Sequence, residues 1–126
     1  MEPMLAYDPM KRPAALLAAF AATLAFGYAS DSPQVQPFDV VLEPGKSHEE
    51  CVRLPAGHGR KWYWRSNAPV DFNIHYHEGT EVSYPVKRSG MRGDGGTFTA
   101  SISQDYCWMW TAKDKPAKVE GRIESK

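Results

Sequence analysis

The chain has 126 residues, which is room for one domain, with 15 basic against 15 acidic side chains and no net charge. That balance excludes a basic stripe able to track a phosphate backbone, so nucleic acid is not an expected partner. Four tryptophans and six tyrosines are too many for a disordered chain and demand a packed core.

Lys11 and Arg12 open an apolar stretch from Ala14 to Phe26, which ends at Gly27-Tyr28-Ala29 with small residues at the two positions a signal peptidase reads. A basic start, an apolar middle and a small-x-small exit form the secretory pattern. The stretch is shorter than the roughly 20 residues a bilayer span requires. Residues 1–29 are therefore expected to be a cleaved signal peptide, with translation starting at Met1 or Met10. An uncleaved anchor is the competing reading. The mature chain is expected in the periplasm or secreted, with no membrane span of its own. Ser30 to Pro37, rich in Ser, Pro and Gln, reads as a flexible lead-in, and residues 38–126 as the domain.

The mature pattern has period two. Phe38 to Leu42 is a first strand, turned by Pro44-Gly45. Val52 and Leu54 belong to a second, and Trp62 and Trp64 to a third. The fourth alternates most clearly, with Val70, Phe72, Ile74 and Tyr76 on one face and Asp71, Asn73, His75 and His77 on the other. Val82, Tyr84 and Val86 mark a fifth. Pro85 within it removes a ladder donor and predicts a sheet edge. Gly90 to Gly96 reads as a loop or tight turn. Phe98 to Ile102, Tyr106 to Thr111 and Lys118 to Ile123 complete about eight short strands, the spacing of an antiparallel β-sandwich. The expected core is Trp62, Trp64, Phe72, Ile74, Tyr84, Phe98, Tyr106, Trp108 and Trp110.

The two cysteines, Cys51 and Cys107, both lie in the mature part. In an oxidising compartment an even pair is usually a disulfide, with two buried thiols as the alternative. Neither belongs to a Cys-x-x-Cys pair, so zinc-ribbon and thioredoxin-like chemistry are disfavoured.

From Cys51 to Ile123 the chain resembles the GOLD domain, the β-sandwich of Golgi cargo receptors and some lipid-handling proteins. The resemblance rests on the early Cys51, the strand Pro69-Val70-Asp71-Phe72-Asn73-Ile74, Gly96-Thr97-Phe98-Thr99-Ala100, Tyr106-Cys107 and a closing strand after a polar turn. It implies a Cys51–Cys107 disulfide and a fold that binds proteins or lipids without catalysis. Cargo receptors continue into a coiled coil, a membrane span and a tail, whereas this sequence stops soon after Ile123. The transport role is therefore not part of the expectation.

His75 and His77 leave one strand face about 6–7 Å apart, a spacing at which two imidazoles can chelate one ion. Met109, on the polar side of its own strand, is the expected third ligand. Thioether and imidazole together in an oxidising compartment point to copper before zinc. The alternative is a solvated strand face. Trp108-Met109-Trp110 reads as core tryptophans rather than a ligand platform. Arg92-Gly93-Asp94 spells an adhesive tripeptide, but in a Gly-rich segment it is explained by turn chemistry. Asp71 shares a face with His75 and could orient its ring, yet no activated nucleophile stands beside them. The leading expectation is an exported, non-enzymatic binding module whose partner is an unidentified protein or envelope component. A periplasmic copper-binding protein comes second and an enzyme third.

Overall fold

The computed structural model describes residues 34–126. The expected signal peptide lies outside the described residues. Within them the chain forms six antiparallel strands and no helix: β1 (Val35–Leu42), β2 (Ser47–Leu54), β3 (Gly59–Glu78), β4 (Glu81–Thr99), β5 (Gln104–Ala112) and β6 (Ala117–Ser125). They make one sheet in the order β1-β6-β3-β5-β2, with β4 along the other side of β3.

The architecture depends on the 20-residue β3. Its first part, Arg60 to Ser66, pairs with β6, and its second part, Val70 to His75, pairs with β5. Between them the chain bends. Ser66 Oγ donates to the Ala68 carbonyl at 2.7 Å, and the Lys118 N–H donates to Asn67 Oδ1 at 2.8 Å. β4 follows the bend with a register shift opposite the segment from Arg65 to Val70, and Gly90 adopts a φ of 63°, which an L-residue rarely tolerates.

Two sheet halves thus share β3 and β4, and the sheet curls until its inner rings meet. Trp64 and Phe72, from the two parts of β3, have centroids 5.5 Å apart, and Phe38 of β1 lies 4.2 Å from Trp110 of β5. Trp64, Val70, Phe72, Ile74, Trp108 and Trp110 are wholly buried. The alternating apolar positions produce this core directly, because successive strand residues point to opposite faces.

Several expectations need correction. Among the described residues there are six strands, not eight, because the third and fourth expected strands are one bent strand, as are the fifth and sixth. The Gly90–Gly96 segment is not a loop: Gly93, Gly95 and Gly96 pair with Arg65, Tyr63 and Trp62. A β-carbon on Gly96 would stand 2.8 Å from the Trp62 ring, so the glycine makes room for that indole. Arg92-Gly93-Asp94 accordingly lies within a strand. The lead-in is shorter than expected, since Val35, Gln36 and Pro37 belong to β1. β1 pairs only with β6, and such an edge tolerates proline. β4, which carries Pro85, pairs only with β3 and is likewise an edge. Finally, Tyr84 is 47% exposed rather than core. Val86 faces Ile74 and Ser83 faces Tyr76, so β4 carries an extra residue there, and the bulge turns Tyr84 to the opposite face.

Candidate functional site

The outward face of the half-sheet β2-β5-β3-β4 gathers most of the chain's unusual chemistry. Cys51 lies directly opposite Cys107, with Cα atoms 4.1 Å apart, and the two form a disulfide across β2 and β5. On its other side Cys107 faces His75. One residue pair along, Glu49 faces Met109, which faces Asn73. These residues share a face because each strand alternates and the disulfide aligns the rows.

His75 is the centre of this face. It is only 3% exposed although it points away from the core. Its Nδ1 lies 2.7 Å from Asn73 Oδ1, and its Nε2 lies 3.3 Å from Glu49 Oε1. The His77 ring stands edge-on at 5.2 Å, and the Tyr84 ring lies at 5.8 Å. Burial holds the His75 pKa below the ordinary histidine value. The Glu49 carboxylate opposes that shift, and His77 adds to it. A protonated ring would donate to both neighbouring oxygens. A neutral ring donates through one nitrogen and accepts through the other, which the Asn73 amide can serve when turned over.

Met109 is half-buried on this face, and its strand is the direct neighbour of the strand carrying His75 and His77. Its register partner is Asn73, one row from His75. Both His75 nitrogens already face acceptors, so an ion bound there has to displace Asn73 or Glu49. Asp71 does not orient His75. Its Oδ1 accepts from Ser89 Oγ and the Gly90 N–H, both at 2.9 Å, and from Lys113 Nζ at 3.1 Å. The orienting group is Asn73, two residues from the histidine. Trp108 and Trp110 are wholly buried and offer no platform.

Glu49 carries no signal of its own in the sequence, Asn73 is placed there only by its strand face, and Tyr84 is expected in the core rather than at this site. Asn73 was legible from its alternation with His75. Glu49 follows once Cys51 is set opposite Cys107, because that register fixes its row. Tyr84 depends on a bulge with no local signature.

A concavity of about 460 Å³ opens elsewhere, where β1 and β2 approach each other, lined by Gln36, Pro37, Val52, Arg60 and Ile123 among others. Beside it Gln36 donates to one oxygen of Glu50, whose other oxygen lies 2.9 Å from His48 Nε2.

No protein-family model matches the chain, and no curated protein matches it in sequence. Among solved structures, the fold is similar to that of the Yersinia pseudotuberculosis-derived mitogen, with a TM-score of 0.55 and 7% identity over 75% of this chain and 86% of that one. That likeness is one of fold. Lower similarity is found to Aeromonas hydrophila PliG, a periplasmic inhibitor of g-type lysozyme (TM-score 0.43, 10% identity, 71% of this chain and 85% of that one). It is also found to TmCBM61, solved with β-1,4-galactotriose (TM-score 0.42, 14% identity, 77% and 81%). At those scores neither bears on fold or function. Fold and site together define a disulfide-closed, all-β domain with a buried histidine network on its outward face.

Proposed function

We propose that the chain is an exported, non-enzymatic binding module of the periplasm or cell envelope, and that it meets a protein or envelope partner through the outward face around His75. The observation that carries this reading is the His75 network itself. A buried imidazole on an outward sheet face, held by Asn73 and Glu49 and flanked by exposed His77 and Tyr84, preorganises a surface. Binding is favoured over catalysis because both sulfurs are tied in the bridge and the His75 nitrogens face an amide and a carboxylate rather than a nucleophile. Export is supported by the disulfide and by the secretory pattern of residues 1–29. The GOLD-domain resemblance agrees with a binding role.

The test is retention of the purified protein on envelope preparations of the producing organism. A Tyr84→Ala, His77→Ala double variant is expected to lose retention, and Val41→Thr, on a different strand, to keep it. Equal retention of all three contradicts the reading.

A copper-binding role is the second reading, favoured by the 5.2 Å separation of the His75 and His77 rings beside the strand of Met109. Titration with Cu(I) and Cu(II) decides it. Binding that disappears in a His75→Ala, His77→Ala variant with unchanged folding supports copper, and equal binding by both proteins rejects it.

A further inference from the structure

We propose that the cleft between β1 and β2 takes the C-terminal end of an extended peptide, which pairs with the free edge of β1 and sets its terminal carboxylate on Arg60. This inference is independent of the binding face around His75.

Inward positions of the curled sheet are apolar almost everywhere. Phe38, Val40 and Leu42 follow that rule in β1, and Trp62 and Trp64 in β3. At one end of the molecule the same alternation puts Gln36 of β1, His48 and Glu50 of β2 and Arg60 of β3 on the inward side. The His48 ring, 5.8 Å from Phe38 and 6.2 Å from Trp110, marks that face. Polar groups at core positions break the pattern, and proteins break it where function requires. Gln36 and Arg60 line the cleft, whose volume of about 460 Å³ lies in the range of ligand sites.

Arg60 supplies the charge. Arg53, Arg65, Arg88 and Arg122 each have a carboxylate partner, whereas Arg60 has none among the described residues. Its Nη1 donates to the Gly59 carbonyl at 2.9 Å. Glu50 does not serve it, because its two oxygens are taken by Gln36 and His48. Val52 and Ile123 make the wall beside it apolar. A half-buried guanidinium in such a setting suits a bidentate pair with a carboxylate.

β1 supplies the backbone. Four consecutive residues, 34 to 37, line the cleft. Successive strand side chains point to opposite faces, so a cleft that touches four in a row runs along the strand's edge. That edge is free because β1 pairs only with β6. The Ser125 N–H donates to the Gln34 carbonyl at 2.9 Å, and Val35 is the next residue in register, opposite Glu124. Antiparallel bonding alternates, so residues 35 and 37 turn their backbone groups away from β6. Val35 therefore offers an N–H and a carbonyl to the cleft, and Pro37 a carbonyl. Such a row is a template for an added strand. A simple acid would use Arg60 alone; a peptide end uses the cation and the edge together.

The experiment passes a pool of N-acetylated hexapeptides of random sequence over the immobilised full chain and identifies the retained peptides by mass spectrometry. The same pool with C-terminal amides is the comparison. Free-acid peptides should be retained, and their amides should bind about 10- to 100-fold more weakly, the loss expected for hydrogen bonds to a charged group. Arg60→Gln should weaken a retained peptide by a similar factor, and Arg88→Gln, on β4, should leave it unchanged. Methylating the peptide's backbone nitrogens should also weaken it, by about tenfold. The proposal is overturned if no peptide is retained, or if acids and amides are retained alike, amides carrying Asp or Glu included. It is equally overturned if the methylated peptide binds as well as its parent, or if octanoate displaces the peptide at the peptide's own affinity, since a carboxylate alone would then suffice. Should Arg60→Gln lower the urea midpoint, Val52→Trp decides, because it fills the cleft and leaves Arg60 in place: loss of the peptide supports the site, and unchanged binding overturns it.

Discussion

Gly121 of β6 lies directly opposite Trp64 of β3, and a β-carbon there would stand 2.7 Å from Trp64 Cβ and closer still to the Tyr63 carbonyl oxygen. On its other side it faces Phe38 of β1. The position points inward, and its missing side chain lets both rings pack. Gly121→Ala should destabilise the fold by about 1–3 kcal/mol, the range for overpacking a tight core. Val41→Thr, at a position 68% exposed, should stay within about 0.5 kcal/mol of wild type. Urea denaturation of the two variants checks the contrast.

Asp71 predicts the acid limb of stability. Burial alone would raise its pKa, but hydrogen bonds from the Gly90 N–H, Lys113 and Ser89, with the Lys113 charge, outweigh it and hold the value below the ordinary carboxylate range. A carboxyl that is harder to protonate when folded contributes stability above its unfolded pKa of about 3.9, and loses it as pH falls through the folded value. Asp71→Asn should therefore be less stable at neutral pH, and its deficit should shrink below about pH 4. A deficit independent of pH, measured by urea midpoints from neutral to acid, would contradict this.

The Tyr106 hydroxyl donates to the Ile102 carbonyl at 2.8 Å from a ring that is 1% exposed. Tyr106→Phe keeps the ring and strands the carbonyl, so a loss of about 0.5–1.5 kcal/mol is expected in denaturant titrations. A smaller loss would mean that water replaces the hydroxyl.

The disulfide joins residues separated by 56 positions. In the chain-entropy model a loop of that length contributes about 4 kcal/mol, a large share of a small domain's stability. The Cys51→Ser, Cys107→Ser double variant should show a correspondingly lower denaturation midpoint in non-reducing buffer. Under a reductant the wild type should approach it.

The buried faces were legible because they are local. Trp62, Trp64, Phe72, Ile74, Trp108 and Trp110 alternate along their own strands and need no partner to be identified. The rest depends on pairing. Gly93, Gly95 and Gly96 look like a loop until β3 is set beside them and the Trp62 ring is seen to need the space over Gly96. Tyr84 reads as core until the bulge opposite Ile74 and Tyr76 reverses its face. At the site, Asn73, His75 and His77 follow from one strand's period. Glu49 is 26 positions from His75 and reaches it only through the β2-β5-β3 register, for which the cysteine pair was the one available marker.

The most direct test of the binding account is site-specific photo-crosslinking in the producing cell, with a photoreactive residue at position 84 or at position 41. The account predicts that position 84 captures a discrete partner in the periplasmic or envelope fraction and that position 41 captures none. Adducts from both positions alike, or from neither, would contradict it.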